Sequence, residues 1–226
     1  QTMKKLFLLA AGLALTLTAC QKDEGVVSDT TSSSSFTVTI PQNGTRAVTD
    51  DFGAGTSANR CILEIYRNDK LYNRIEKGVT GETVTFDDLR LAQQTYDFVF
   101  WADCAEGSEG NFTDKTYNTA NLKSITEIGP FVGNSDERDA FFAHETFEVT
   151  GSFSRPVTLK RPFGLLVVKT NDLNEIRDEA LKPTGYEVAF KGLPTTFNAL
   201  TGEVSGSADV SYKATEFAKT DGTISM

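Results

Sequence analysis

The sequence predicts an all-β fold of the sandwich kind. Period-two alternation of apolar residues recurs along the body of the chain, interrupted by Gly, Asn and Asp. One stretch, Tyr96 to Trp101, is apolar on both faces, as a central strand between two layers must be. Composition agrees: 226 residues hold 16 Phe but only 1 His, 3 Cys and 1 Trp.

The elements follow in order. Phe36, Val38 and Ile40 alternate with threonines, and Pro41-Gln42-Asn43-Gly44 stops that strand. Cys61, Leu63 and Ile65 alternate next; Asn68-Asp69 is a hairpin turn, and its partner strand runs around Leu71 to Ile75. Thr83 to Phe86 is a short strand. Tyr96, Phe98 and Phe100 then share one face, with Val99 and Trp101 on the other. Residues 104 to 140 are polar and Gly-rich, with a short strand near Leu122 to Ile128. Strands resume at Phe147 to Phe153, Val157 to Lys160 and Leu165 to Thr170. One short helix is expected next: Asp172 stands three residues before Glu175 as in a capping arrangement, Leu173, Ile176 and Ala180 form a stripe, and Pro183 ends it. Tyr186 to Phe190 and Ser207 to Tyr212 are the last strands.

The start of the chain indicates the compartment. Gln1 and Thr2 read as an upstream remnant before Met3. Lys4-Lys5 and the apolar run Leu6 to Leu17 form a secretory leader, too short to span a bilayer. It ends Leu17-Thr18-Ala19-Cys20, which resembles a bacterial lipobox, with Cys20 as the lipidation site; an ordinary leader with a chance cysteine is the alternative reading. Acyl chains on Cys20 would anchor the mature chain to outer-membrane lipid without spanning it. Gln21-Lys22-Asp23-Glu24 is similar to the surface-export signals of Bacteroidetes lipoproteins, and equally to a plain solvated tether. Val26 to Ser35 reads as a flexible linker. Asp29-Thr30-Thr31 resembles an O-glycosylation motif, which makes Thr30 a candidate modification site.

Charge and residue types narrow the function. The formal charge is −9; removing the leader's two lysines takes 22 bases to 20 against 31 acids, or −11. That balance excludes nucleic acid, whose phosphates need a cationic footprint. One histidine excludes mechanisms that need two imidazoles, and the cysteines lack zinc-ribbon spacing. No cofactor, metal or catalytic set is indicated, and the chain reads as a non-enzyme. His144, in Phe141-Phe142-Ala143-His144, is structural unless a second ligand joins it. Asp87-Asp88 and Asp136-Glu137 are acidic pairs of the sort found solvated in loops. Trp101 is a core residue or else a stacking platform for sugar. Cys61 and Cys104 are a candidate disulfide or two buried thiols.

Several stretches carry a resemblance. Gly44-Thr45-Arg46-Ala47, the strand Tyr96-Asp97-Phe98-Val99-Phe100-Trp101-Ala102-Asp103, Glu137-Arg138-Asp139-Ala140-Phe141 and Leu159-Lys160-Arg161-Pro162-Phe163, with the lipobox, resemble Bacteroidales fimbrillin-like lipoproteins, an uncharacterised branch of the major-fimbrial-subunit superfamily. The resemblance implies transthyretin-like β-sandwiches in tandem. It divides the chain into a leader at 1–19, a lipidated tether at 20–35, a sandwich at 36–183 and an incomplete second sandwich at 184–226. Leu193-Pro194 through Asn198-Ala199-Leu200-Thr201-Gly202 resembles the second sandwich's early hairpin. It also implies processing by an Arg-specific protease between Arg46 and Ala47, and displacement of the strand bearing Phe36, Val38 and Ile40 by a strand from another subunit. An ordinary first strand followed by a loop arginine is the plainer reading.

Two functions follow as expectations. The first is an outer-membrane, lipid-anchored, surface-exposed subunit of a fimbrium (stalk, tip or anchor) whose partners are other fimbrial subunits. The second is a non-polymerising surface lipoprotein that binds glycan or a host ligand through the 104 to 140 segment.

Overall fold

The computed structural model describes residues 33–41, 58–133, 135–164, 166–169, 175–214 and 223–225. From Thr31 onward the chain is one unit. Its framework is three stacked sheets, and the middle one explains why so many strands are apolar on both faces.

The middle sheet is antiparallel. It contains β2 (Arg60–Arg67), β3 (Lys70–Gly78), β5 (Thr95–Asp103) and β8 (Phe141–Glu148), in the order β3-β2-β5-β8. Asn68 and Asp69 join β2 to β3 with φ of 49° and 64°, the double positive φ of a tight hairpin turn. The front sheet sets β1 (Ser34–Thr39) between β4 (Thr83–Leu89) and β9 (Ser154–Thr158); β1 runs antiparallel to β4 and parallel to β9. Pro156 is tolerated in β9 because that strand is an edge. The back sheet is smaller. It orders β13 (Glu203–Ser205), β12 (Thr196–Asn198), β7 (Ile125–Glu127) and β6 (Tyr117–Asn118). Two ribbons complete the described strands: β11 (Tyr186–Leu193) with β14 (Ala208–Ala214), and β10 (Val167–Lys169) with β15 (Thr223–Ser225).

Alternation sorts the side chains into two cores. Cys61, Leu63, Ile65, Tyr96, Phe98, Phe100 and Phe141 face the front sheet and meet Phe36, Val38, Val84 and Phe86. Ile62, Tyr66, Val99, Trp101 and Phe142 face the back sheet and meet Tyr117, Leu122, Ile125 and Phe197. The all-β sandwich prediction and the central position of the Trp101 strand are therefore correct. Phe197 and Ala199, assigned from sequence to the opening of a second sandwich, lie in the core that holds Trp101.

Two sequence readings need correction. β8 runs from Phe141 to Glu148, so the strand expected at Phe147 to Phe153 starts six residues earlier and ends at Glu148, with Val149 to Phe153 outside any strand. Consecutive phenylalanines hid it: Phe141 fills the front core and Phe142 the back one, so no alternation is visible. The predicted helix is not seen in its described part. Glu179–Leu181 is a single 3-10 turn, closed by the Ala180 N–H donating to Asp178 Oδ1 at 3.0 Å. Ile176 is half-buried but Ala180 is exposed and Leu181 is 71% exposed, so the turn itself buries no apolar stripe. Asp172 and Leu173 lie outside the described residues.

Candidate functional site

The strand flagged from sequence as displaceable, β1, is the middle member of the front sheet. Phe36, Val38 and Ile40 are each 0% exposed, while Thr37 between them faces solvent. The backbone is paired on both sides: Ile40 N–H donates to Glu82 O at 2.8 Å, Ser35 N–H to Phe153 O at 2.9 Å, and Leu159 N–H to Thr39 O at 2.9 Å. Phe36 is the hub of an aromatic cluster. Its ring lies 4.9 Å from Phe98, 5.1 Å from Phe100, 5.0 Å from Phe153 and 6.2 Å from Phe147, inclined at 60° or more to each. Edge-on geometry of this kind adds about 0.5–1.5 kcal/mol per pair to simple burial. Without β1, β4 and β9 would have no common neighbour and a row of apolar pockets would open.

The opposite face of the middle sheet holds a buried polar network. Arg60, 2% exposed, donates to Asp103 through Nε at 3.0 Å and Nη2 at 2.9 Å, and Nη2 also reaches Asp114 Oδ1 at 2.9 Å. Trp101 Nε1–H donates to Asp103 Oδ2 at 3.0 Å. Asp114 in turn accepts from the Thr119 N–H and hydroxyl, both at 2.8 Å. Glu64, 0% exposed, accepts from Tyr66 Oη, from Arg74 Nη1 at 2.6 Å and from the Leu122 N–H at 3.0 Å. Arg74 also donates to Thr119 O at 2.7 Å and to Glu76. Two arginines of the sheet thus clamp the 114–122 segment, placing Tyr117 and Leu122 over Trp101.

The electrostatics follow from burial. Burial pushes the Asp103 carboxyl above the usual carboxylate range, opposed by the Arg60 and Trp101 donors. Burial acts to lower the Arg60 pKa, but Asp103 and Asp114 outweigh it and hold it above the usual value. For Asp114 desolvation raises the pKa, yet the bonds from Thr119 and Arg60 win and hold it below the ordinary range. Breaking such a paired buried charge costs about 3–5 kcal/mol.

The segments that carried the family resemblance converge beside this network. Arg161 grips Asp139 with two hydrogen bonds of 2.7 and 2.8 Å and lies over the Phe141 ring. Phe142 and Lys160 exchange backbone bonds of 2.8 and 2.9 Å. Phe163 packs edge-on to Trp101 at 6.4 Å and stacks on Tyr117 at 5.8 Å.

Other sequence-flagged residues fall as follows. Trp101 is 0% exposed and surrounded by Tyr117, Phe163 and Phe197, so it is core and offers no face to a sugar. Cys61 and Cys104 are buried free thiols, with no disulfide between them. His144 shares Asp97 with Thr146 on the half-exposed side of β8. Asp88 pairs with Arg90 at 3.3 Å, and Glu137 with Lys115 at 2.5 Å, so both acidic pairs sit in surface ion pairs. Cys20, Thr30, Arg46 and Ala47 lie outside the described residues. Among the described residues there is no His, Cys, Asp or Glu cluster able to hold a metal, and no helix long and apolar enough to cross a membrane.

Sequence reading missed Arg60, Glu64, Arg74 and Asp103 as a group. A signal existed: Arg60 and Glu64 share a face with the large apolar Ile62 and Tyr66, opposite Cys61, Leu63 and Ile65, so this face too carries apolar side chains that need a covering layer.

Solved structures share the fold. A Bacteroides ovatus protein described as an adhesin superposes with a TM-score of 0.55 at 10% identity, covering 86% of this chain and 68% of that one. A Bacteroides thetaiotaomicron protein described as polysaccharide-binding (DUF1812) gives 0.53 at 11%, covering 85% and 71%. The fimbrial anchor protein Mfa2 from Porphyromonas gingivalis gives 0.48 at 11%, covering 86% and 71%. No curated protein matches the chain. The two superpositions above 0.5 establish architecture alone at these identities. At the level of sequence, residues 25–226 match one family model, and the chain belongs to that family of unknown function, DUF6562.

Proposed function

We propose that this chain is a cell-surface lipoprotein of fimbrillin type, a structural or adhesive subunit that accepts a strand from a neighbouring subunit in place of β1. The observation that carries the reading is β1 itself. It is a middle strand with every inward side chain fully buried and both ladders satisfied. A strand entering between β4 and β9 would restore the ladders through its backbone and refill the pockets with alternate side chains. Arg46 follows β1 closely in sequence, so cleavage there would leave β1 held by noncovalent contacts alone. Anchoring through Cys20 places the subunit at the outer membrane until that cut.

The likeness to a protein described as an adhesin supports this reading at the level of fold. The alternative reading, a non-polymerising glycan binder, loses its aromatic platform because Trp101 is buried.

The test is treatment of the full chain with an Arg-specific protease, followed by peptide mapping and gel electrophoresis without boiling. Cleavage at Arg46 with loss of the 33–41 segment and growth of a ladder is the expected result. Resistance at Arg46, or cleavage without assembly even when a peptide spanning β1 is competed away, overturns the proposal.

A further inference from the structure

The ribbon of β11 and β14 is too small to be stable by itself, since two strands rarely bury enough to stand alone in water. Its faces are sorted by alternation. Tyr186, Val188, Phe190, Val210 and Tyr212 are half-buried on one side, where Phe131 meets Phe190 and Tyr212 at 6.1 Å each. Glu187, Asp209, Ser211 and Lys213 are exposed on the other.

The two edges of the ribbon differ. On β11 the register shifts between Phe190 and Leu193, with Gly192 at φ 68° and its N–H donating to Asp209 Oδ1 at 3.0 Å. An irregularity of that kind blunts a strand edge. β14 runs for seven residues without bulge, proline or glycine, and among the described residues it pairs with β11 alone.

The sequence of β14 is Ala208-Asp209-Val210-Ser211-Tyr212-Lys213-Ala214, and reversed it keeps its chemical classes except that acid answers base. An antiparallel copy centred on Ser211 sets Asp209 opposite Lys213 twice, Val210 opposite Tyr212 twice and Ala208 opposite Ala214 twice. A slip of one residue would bring apolar side chains to the polar face. A slip of two parts Asp209 from Lys213, and parallel in-register pairing sets like charge on like charge.

We propose that β14 is a self-association edge: a second copy of this chain pairs with it antiparallel about Ser211, making one four-stranded sheet across a two-fold axis. Such an interface is isologous, which a self-complementary strand satisfies and a generic edge does not. The polar face then continues a charge row that one protomer begins, since Lys213 already lies 3.9 Å from Glu187 on β11. Its next neighbour across the axis is Asp209 of the second copy. The apolar face continues likewise, from Val188 through Tyr212 to Val210 of the second copy.

The test uses the full chain in sedimentation velocity over a micromolar dilution series. A monomer–dimer equilibrium is expected. Lys213→Glu and Asp209→Lys should each weaken it by about tenfold, because each sets like charges opposite one another at two symmetric positions. The pair Asp209→Lys with Lys213→Glu should return it to within about threefold of the parent, by restoring opposite charges. Asp209→Lys forfeits the Gly192 bond, so a second measurement avoids charge altogether. Ser211→Cys should give an oxidised dimer whose disulfide maps to position 211 on both chains, and Ala189→Cys at the centre of β11 should not. A chain that stays monomeric throughout, a dimer indifferent to the single charge variants, or cross-linking through position 189 as readily as through 211 overturns the proposal.

Discussion

Replacing Phe36 by alanine tests whether β1 is held by its own packing. The ring is fully buried and touches Phe98, Phe100, Phe147 and Phe153 within 6.2 Å. Truncating a buried phenylalanine costs about 3–5 kcal/mol, made up of lost transfer energy and the cavity left behind. Four rings that cannot all move inward put this site at the upper end, about 4–5 kcal/mol, against a typical total of about 5–15 kcal/mol. In a chain of this size that corresponds to a fall in Tm of roughly 8–20 °C. Urea denaturation followed by Trp101 fluorescence is the assay. Trp101 lies across the middle sheet from Phe36, so a shifted midpoint with an unchanged slope also shows that the two cores unfold together. The neighbouring Thr37→Ala, at an exposed position of the same strand, should stay within about 0.5 kcal/mol. A loss under about 1 kcal/mol for Phe36→Ala, or one no larger than for Thr37→Ala, would refute the assignment of β1 as a packed plug.

Three further outcomes are expected. Asp103→Ala should cost about 3–5 kcal/mol by leaving Arg60 buried without its main partner, and adding Arg60→Met should recover much of the loss in urea midpoints. Asp114 has a folded pKa below its unfolded one, so its contribution is present above about pH 4 and disappears as pH falls through the folded value. Asp114→Asn should therefore lower stability at neutral pH and leave a flatter acid limb in pH titrations followed by circular dichroism. Burial pushes the Cys61 thiol far above its usual range, with Asp103 adding to the effect. Alkylation mapped to Cys61 should be negligible in the native chain at mildly alkaline pH and complete in denaturant.

Most strands were legible because the front and middle sheets obey simple alternation. Phe36, Val38 and Ile40 announce β1, and Asn68-Asp69 announces the turn that the φ values then show. Where the pattern broke, a second layer was responsible. Phe141 and Phe142 belong to different cores, so neither periodicity describes them. Residues 104 to 140 looked patternless because their order comes from Arg60, Glu64 and Arg74, which lie forty or more residues away in sequence. The apolar stripe through Ile176 and Ala180 looked helical because spacing alone cannot say whether a surface waits to receive it.

The sequence by itself determined the fold class, the sorting of Tyr96 to Trp101 between two layers and the self-complementary order of charges along β14, since each is a matter of local spacing. Tertiary structure alone decided that β1 is a middle strand, that Trp101 is sealed beneath Tyr117, Phe163 and Phe197, and that the 114–122 segment answers the buried Arg60 and the half-buried Arg74. The physical reason is one of range. Alternation records which way a side chain points, whereas burial and ion pairing depend on what distant parts of the chain bring to that face.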